Sequence, residues 1–330
     1  MKTRIPLVIG GAGFIGSALV RQLAEQGPVR VLDDLSTGKA ENIAGVAGAD
    51  LIVGDLLDED VLQRALSGVG IVYHLACLGV RHSIHQPFRN HQVNAEGTLR
   101  VLETARHIGV DRVVYCSTSE VYGTAERVPM DEDHPTWPHT VYGGSKLAGE
   151  AYTRAYHITY GMPTVVVRPF NSFGPRSHHE GDSGEVIPKF IIRAKNNLPP
   201  IIFGDGTQTR DFTYVDDTAR GIAAAGTAEH AVGETINIGS GYEISINELA
   251  KLVAEVTSTD QKPEYHPSRP GDVLRLYSDS RKAAKLLGWT PQVSLREGLE
   301  KLIAWHEEQG TDWAQALAED VPHNWEAEPQ

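Results

Sequence analysis

Cysteine is nearly absent from this chain: of 330 residues only Cys77 and Cys116 carry a thiol, each just after an apolar run. Such usage excludes a disulfide framework and makes a reducing cytoplasm the expected setting. Long apolar runs are missing too. None approaches the roughly 20 residues that span a bilayer, and Gly10 to Gly16 interrupts what a signal-peptide core would need. Positive charge is scarce, with 30 Lys and Arg against 43 Asp and Glu and a net charge of -13, so nucleic acid and anionic membrane are not expected partners. A small anionic ligand stays open if a few arginines converge. There is no internal repeat and no low-complexity tract. Hydrophobic residues at 41% and charged ones at 22% suit a globular enzyme, and the length allows one large domain or two unequal ones.

The chain is organised around its first turn, Gly10-Gly11-Ala12-Gly13-Phe14-Ile15-Gly16, which follows the apolar run Ile5 to Ile9 and leads into a helix. A strand that passes through close glycines into a helix leaves backbone N–H groups uncovered, where the pyrophosphate of a dinucleotide can sit. A second apolar run, Val29 to Leu32, ends at Asp33, near the spacing at which an acid binds a ribose. A carboxylate there accepts bonds from both ribose hydroxyls and repels a 2'-phosphate. Asp34 follows and no arginine stands beside the pair, so NAD is expected over NADP; Lys39 is the one nearby cation.

From Met1 to about residue 170, short apolar runs alternate with stretches of helical period. The runs are Pro6 to Ile9, Val29 to Leu32, Leu51 to Val53, Gly70 to Leu75, Arg112 to Cys116 and Thr164 to Val167. Continuous apolar strands separated by helices predict an α/β fold, a doubly wound parallel sheet of about six strands or slightly more. Helices are expected at Gly16 to Gln26, Asp58 to Leu66 after a cap-like Asp55, His91 to Ile108 and Tyr142 to Tyr160. Val93, Gly97, Val101, Leu102 and Ala105 form one face of the third; Leu147, Ala148, Ala151 and Ala155 form one face of the fourth. Such faces either join the core or, in a homodimer, pack against their copies. Residues 1–170 thus read as a dinucleotide-binding domain and 171–320, rich in Pro and Gly, as a smaller substrate lobe whose segments interleave with it. Residues 321–330 read as an acidic tail.

Tyr142-Gly143-Gly144-Ser145-Lys146 supplies a second site. If the helix begins near Tyr142, positions i and i+4 share a face, and an ammonium beside a phenol favours the phenolate. A tyrosine tuned in this way can take a proton from a sugar hydroxyl. Ser117, Thr118, Ser119 and Glu120 follow the strand ending at Cys116, at the edge that faces the ligand crevice of an open parallel sheet, and Thr118 is the hydroxyl expected to bond the reacting oxygen.

The ordered set Gly-Gly-Ala-Gly-Phe-Ile-Gly, Asp33-Asp34-Leu35, Gly54-Asp55-Leu56, His74-Leu75-Ala76, Asn94, Ser117-Thr118, Tyr142-x-x-x-Lys146 and Arg168-Pro169-Phe170-Asn171 resembles the extended short-chain dehydrogenase/reductase family, the nucleotide-sugar epimerases and dehydratases. The resemblance runs from residue 4 to about 305. It implies a Rossmann-type sheet, a bound NAD, and oxidation at C4 of a nucleotide sugar assisted by Tyr142, Thr118 and Lys146. For the cofactor it implies Gly10, Gly13, Phe14, Ile15, Gly16, Asp33, Asp34, Ser36, Gly38, Asp55, Leu56, Leu75, Ala76, Asn94, Ser117 and Pro169 as well. For the substrate it implies Arg81, Thr118, Ser119, Asn171, Arg176, Val186, Phe203, Gln208, Arg210, Arg269 and Asp272. Guanidinium groups suit a diphosphate because they pair with it bidentately.

Two features point to different outcomes after C4 oxidation. Thr118-Ser119-Glu120 resembles dehydratases and uronate decarboxylases, where a carboxylate can act as a base. Arg269-Pro270-Gly271-Asp272 resembles the substrate loop of 4-epimerases, and Gly79-Val80-Arg81 that of uronate 4-epimerases. A UDP-sugar 4-epimerase acting as a homodimer is the leading expectation, with a dehydratase or UDP-glucuronate decarboxylase using Glu120 as the alternative. A non-catalytic NAD sensor would be free to lose Tyr142, Lys146 and Thr118, yet all are present. His178-His179-Glu180 and the pair His82 and His85 lack a third ligand at fixed spacing, so no metal is expected, and Ser177 to Glu185 reads as a mobile lid.

Overall fold

The computed structural model describes residues 4–269 and 271–325, without the side chain of Asp182. Pro270 of the expected substrate loop and residues 326–330 of the expected tail lie outside the described residues. The first half contains β1 (Ile5–Ile9), α1 (Phe14–Ala24), β2 (Val29–Asp33), β3 (Ala49–Val53), α2 (Glu59–Leu66), β4 (Val69–His74), α3 (Val80–His85), α4 (Pro87–His91), α5 (Gly97–Ile108), β5 (Arg112–Cys116), α6 (Val141–Tyr160) and β6 (Thr164–Pro169). Next come β7 (Asn171–Phe173), α7 (Val186–Lys195), β8 (Ile201–Phe203), β9 (Thr209–Tyr214), α8 (Val215–Thr227) and β10 (Thr235–Ile238). The chain closes with β11 (Glu243–Ser245), α9 (Ile246–Thr257), β12 (Glu264–His266), α10 (Arg281–Leu287), α11 (Leu295–Glu308) and α12 (Trp313–Ala318).

Seven strands form one parallel sheet in the order β10-β6-β5-β4-β1-β2-β3. Strand order reverses between β1 and β4, and a crevice opens there beyond the carboxyl ends of the strands. Buried Val, Leu and Ile on both strand faces require a helical layer on each side. One layer packs Phe14, Ala18 and Leu19 of α1 with Val215, Ala219 and Ile222 of α8 and with Trp289. The other packs Leu62 and Leu66 of α2 with Val93, Val101, Leu102 and Ala105, so that face of the third expected helix joins the core. The face on α6 divides: Leu147 packs against Val121, Tyr122 and Phe170, whereas Ala151 and Ala155 stay exposed.

Several expectations need local correction. Asp58 rather than Asp55 caps α2, accepting from Val61 N at 3.2 Å, while Asp55 Oδ1 accepts from Leu57 N in a turn. The helix expected from His91 is divided into α4, a π turn over Gln92–Glu96 and α5. The extra residue of that turn brings Asn94 inward, as π turns at functional sites commonly do. In the second lobe, β11, β9 and β7 form a small sheet, β12 pairs with β8, and α7, α9 and α11 enclose Phe190, Phe212, Leu249 and Leu302. Among the described residues no helix is long and apolar enough to cross a membrane.

Candidate active site

A cleft of about 450 Å³ runs from the first glycine turn, past the ends of β4, β5 and β6, to the second lobe. At its first end the glycines are required by close approach. Gly10 has φ +83° and a Cβ there would stand 2.6 Å from Ala76 N; a Cβ on Gly16 would stand 2.0 Å from Gly10 O. Gly13, which offers no side-chain cap, precedes α1, so the helix's first N–H groups face the cleft without a side chain in the way. Asp33 at the end of β2 accepts from Ala12 N and Leu35 N, both at 2.9 Å. Burial raises its pKa and the two backbone donors pull it back down. Each carboxylate oxygen keeps acceptor capacity for a ribose hydroxyl. Lys39, the nearby cation, is paired with Glu180 at 2.6 Å and so is not free to offset a 2'-phosphate. Helix start, glycine cradle and acid together fit an NAD.

Around these, Phe14, Ile15, Asp34, Ser36, Asp55, Leu56, Leu75, Ala76, Ser117 and Pro169 line the same cleft. Gly38 and Asn94 are buried beside that wall. Gly38 makes room for the Asp33 carboxylate, which would lie 2.8 Å from a Cβ at that position. Asn94 is buried, accepting from Leu78 N at 2.8 Å and donating to Leu78 O and Ser145 Oγ, both at 3.0 Å. It ties the strand-end loop to α6.

At the middle of the cleft, Thr140 caps α6 by accepting from Gly143 N at 3.1 Å and sets Tyr142 and Lys146 one turn apart on the lining face. The Thr118 hydroxyl and the Tyr142 phenol line the same stretch of the cleft, with Thr118 near enough to favour the phenolate. Lys146 is buried, donates to Cys116 O at 2.6 Å and lies 4.6 Å from the Tyr115 ring centroid. The expected lowering of the phenol pKa is not found. Burial raises it, with Cys77, Cys116 and Glu120 adding to the rise, because Lys146 points its charge at the Cys116 carbonyl and Tyr115.

Next along the cleft, charges of both signs converge. Arg210 donates to Asp272 at 2.5 Å, and Arg269 approaches the same carboxylate at 3.6 Å. Burial raises the Glu120 pKa, while Arg210, Arg81 and His139 pull it down. Burial, with Arg81 close by, brings Arg269 down to about 10. Buried Arg269 Nε and Asn171 Oδ1 have no hydrogen-bond partner, and both residues line the cleft. A cluster of three guanidiniums with an unmet donor suits an anion such as a diphosphate. Phe203 lines a small cavity next to the cleft that shares Gln208 and Arg269, while Ser119, Val186 and Gln208 line the cleft itself.

Arg176 does not. Its φ of +68° turns it toward α1, where Nε donates to Ser17 Oγ at 3.1 Å. Conversely, the sequence reading gave no individual role to Glu185, which lines the cleft with a pKa raised to about 7 by burial, opposed by His178 and Arg81. It also missed Trp325, which lines the same cleft. A buried charge at the start of a helix that follows a Gly-rich loop was the available signal for Glu185.

A doubly wound sheet with a glycine turn, a strand-end acid and a Tyr-Lys pair defines a dinucleotide-binding oxidoreductase of the extended short-chain type. The sequence pattern of the GDP-mannose 4,6 dehydratase family matches residues 7–302, and the chain belongs to that family. It is 39% identical over 303 residues to a putative UDP-glucose 4-epimerase of Methanocaldococcus jannaschii, covering 91% of this chain and 97% of that protein. It is 34% identical over 311 residues to UDP-glucuronic acid decarboxylase 1 of Arabidopsis thaliana, covering 92% of this chain and 70% of that one. The crystal structure of UDP-glucuronic acid 4-epimerase from Bacillus cereus, in complex with UDP-glucuronic acid and NAD, superposes with a TM-score of 0.86 at 34% identity, covering 92% and 99% of the two chains.

Proposed function

We propose that this protein is an NAD-dependent UDP-sugar 4-epimerase. The observation that carries the reading is one cleft lined together by the glycine turn, by Thr118 and Tyr142, and by the Arg81, Arg210 and Arg269 cluster. NAD, which the glycine turn and Asp33 would hold, would supply reversible hydride-transfer chemistry at C4 of the sugar. Tyr142 removes the C4 hydroxyl proton and later gives it back, and Thr118 holds the oxygen while this happens. The phenol starts protonated here, and a cation bound beside it would lower its pKa toward the working range. Lys146 fixes the end of β5 through the Cys116 carbonyl, and the arginines grip the diphosphate while the sugar turns.

The division of labour follows: residues 4–170 with α8 and β10 for the cofactor, and 171–320 for the nucleotide sugar. A homodimer is supported by exposed Leu99, Ile158 and Tyr160 on α5 and α6, beside Ala151 and Ala155. The two thiols support a reducing cytoplasm as its setting.

Incubation with UDP-glucose, UDP-N-acetylglucosamine and UDP-glucuronate, followed by mass spectrometry and proton NMR, tests the reading. An isomer of unchanged mass is expected, and Tyr142→Phe should cut its formation by about 10²–10⁴. A second reading rests on Glu120, half-buried near Arg81 and Arg210 in the same cleft. If the product has instead lost carbon dioxide or water, the protein is a decarboxylase or dehydratase with Glu120 as its acid or base. Glu120→Gln then nearly stops turnover, whereas an epimerase loses little.

A further inference from the structure

The cleft is lined by the hydroxyls of Thr118 and Tyr142, by the guanidiniums of Arg81, Arg210 and Arg269, and by the Trp325 ring, and the small cavity beside Arg269 adds the Phe203 ring. A nucleotide sugar presents a matching set of groups: sugar hydroxyls, a diphosphate and an aromatic base. Beyond the arginines stands Phe203 at the end of β8, and the Trp325 ring meets it edge-on at 4.7 Å between centroids. Arg269 bridges the two regions, its guanidinium carbon 5.1 Å from the Phe203 ring centroid and 5.9 Å from that of Trp325.

The segment carrying Trp325 is anchored along its length. After α12 the chain crosses α7, where the Asp320 carboxylate, 3% exposed, lies 3.0 Å from Lys189 Nζ and 3.6 Å from Arg193. Lys189 Nζ also donates to Val321 O at 2.7 Å. Buried Asn324 donates to Gly181 O in the segment expected to be a lid, and His179 of that segment lies 3.3 Å from Glu319. Beneath the crossing is a cavity of about 40 Å³ lined by Phe203, Gln208, Arg269, Asp320, Pro322 and Asn324.

We propose that residues 319–325 form a clasp that walls the nucleobase end of the substrate cleft, with Trp325 packing on the base beside Phe203. The proposal rests on the reading that a nucleotide sugar fills the cleft. Trp325 and Phe203 leave no gap between them for a ring, so the base lies along the pair, in reach of Gln208 and Arg269. Trp325 then determines affinity for the base, and the clasp holds the 177–185 segment over the rest of the ligand.

Titration calorimetry of the full chain with UDP and with GDP tests this, using Trp325→Ala, Trp325→Phe and a truncation after Ala318. Base–aromatic stacking is lost on alanine substitution at a cost of roughly tenfold or more in affinity. The UDP Kd of Trp325→Ala should rise by about that factor, and Trp325→Phe should restore it to within about threefold, since a flat ring is kept. The truncation should match Trp325→Ala. UDP binding unchanged, or tightened, in Trp325→Ala with an unaltered melt overturns the clasp; that variant decides the matter even if the truncated chain does not fold. Failure of the unsubstituted protein to bind UDP or GDP would instead overturn the nucleotide-sugar reading itself.

Discussion

Neutralising Glu150 tests how the floor of the site is held. Glu150 lies on α6 one turn beyond Lys146 and is fully buried. Its oxygens accept from Arg168 Nε at 2.8 Å and Nη2 at 2.7 Å, and from Arg154 Nη1 at 2.8 Å. Arg168 also donates to the Tyr122 hydroxyl at 2.8 Å, which donates to Asn237 Oδ1 at 2.7 Å. The network joins α6, the end of β6, the turn after Thr118, and β10. In Glu150→Gln the Arg168 guanidinium stays buried without its counter-charge, at a cost of about 3–5 kcal/mol. At roughly 2 °C per kcal/mol for a large domain, the melting temperature at pH 7 should fall by about 6–10 °C. Burial pushes the Glu150 pKa up, but the Arg168 bonds outweigh it and hold the group below 4.5. The stabilisation is therefore present above about 4.5 and is lost as pH falls through the lowered folded value. Thermal melts of both proteins between pH 3 and pH 7 are the assay. A melt within about 1 °C of the unsubstituted protein at pH 7, or a gap that widens in acid, would refute the reasoning.

Two further outcomes are expected. Asp33→Ala should weaken NAD and relax discrimination against NADP, read by fluorescence titration with both cofactors; unaltered selectivity would show that another group reads the ribose. Glu185, with its folded pKa raised from 4.5 to about 7, favours the folded state at low pH, and that contribution is lost as pH rises through 7. Glu185→Gln should therefore melt progressively higher relative to the unsubstituted protein between pH 5 and pH 8, and a constant difference across that range would contradict it.

The parallel sheet was legible because its buried strands read as unbroken apolar runs. Its seventh strand was not placed there from sequence, since Ile236 to Ile238 lies about 70 residues beyond β6 and nothing local says which edge it joins. α3 escaped notice because at six residues it carries a single i, i+4 apolar pair, Val80 and Ile84, too short a period to read as a helix. The π turn was invisible for the opposite reason, as Val93 and Val101 keep the apolar spacing across it. At the site, ordered motifs brought out Asp33, Thr118 and Tyr142, whereas the direction of Lys146 toward Cys116 O depends on tertiary packing. The direction of Arg176 could not be read from sequence, because the backbone turn at that residue sends its Nε to Ser17 on α1. Trp325 belongs to a stretch whose composition suggests a loose end, and the anchors Lys189 and Arg193 are more than 100 residues earlier.

The interleaving of the two halves bears on synthesis. One face of the main sheet receives its cover from Val215, Ala219 and Ile222, its last strand from Thr235–Ile238, and a closing plug from Trp289, whose indole N–H donates to Asp217 O at 2.8 Å. A nascent chain that has emerged only as far as β6 leaves Tyr73, Val114 and Val165 open on that face and the β6 edge unpaired. Such a fragment is a sticky intermediate rather than an independent module. Cofactor half and substrate half therefore have to be inherited, expressed and folded as one unit, and exchanging them between relatives at residue 170 would cut through a shared core.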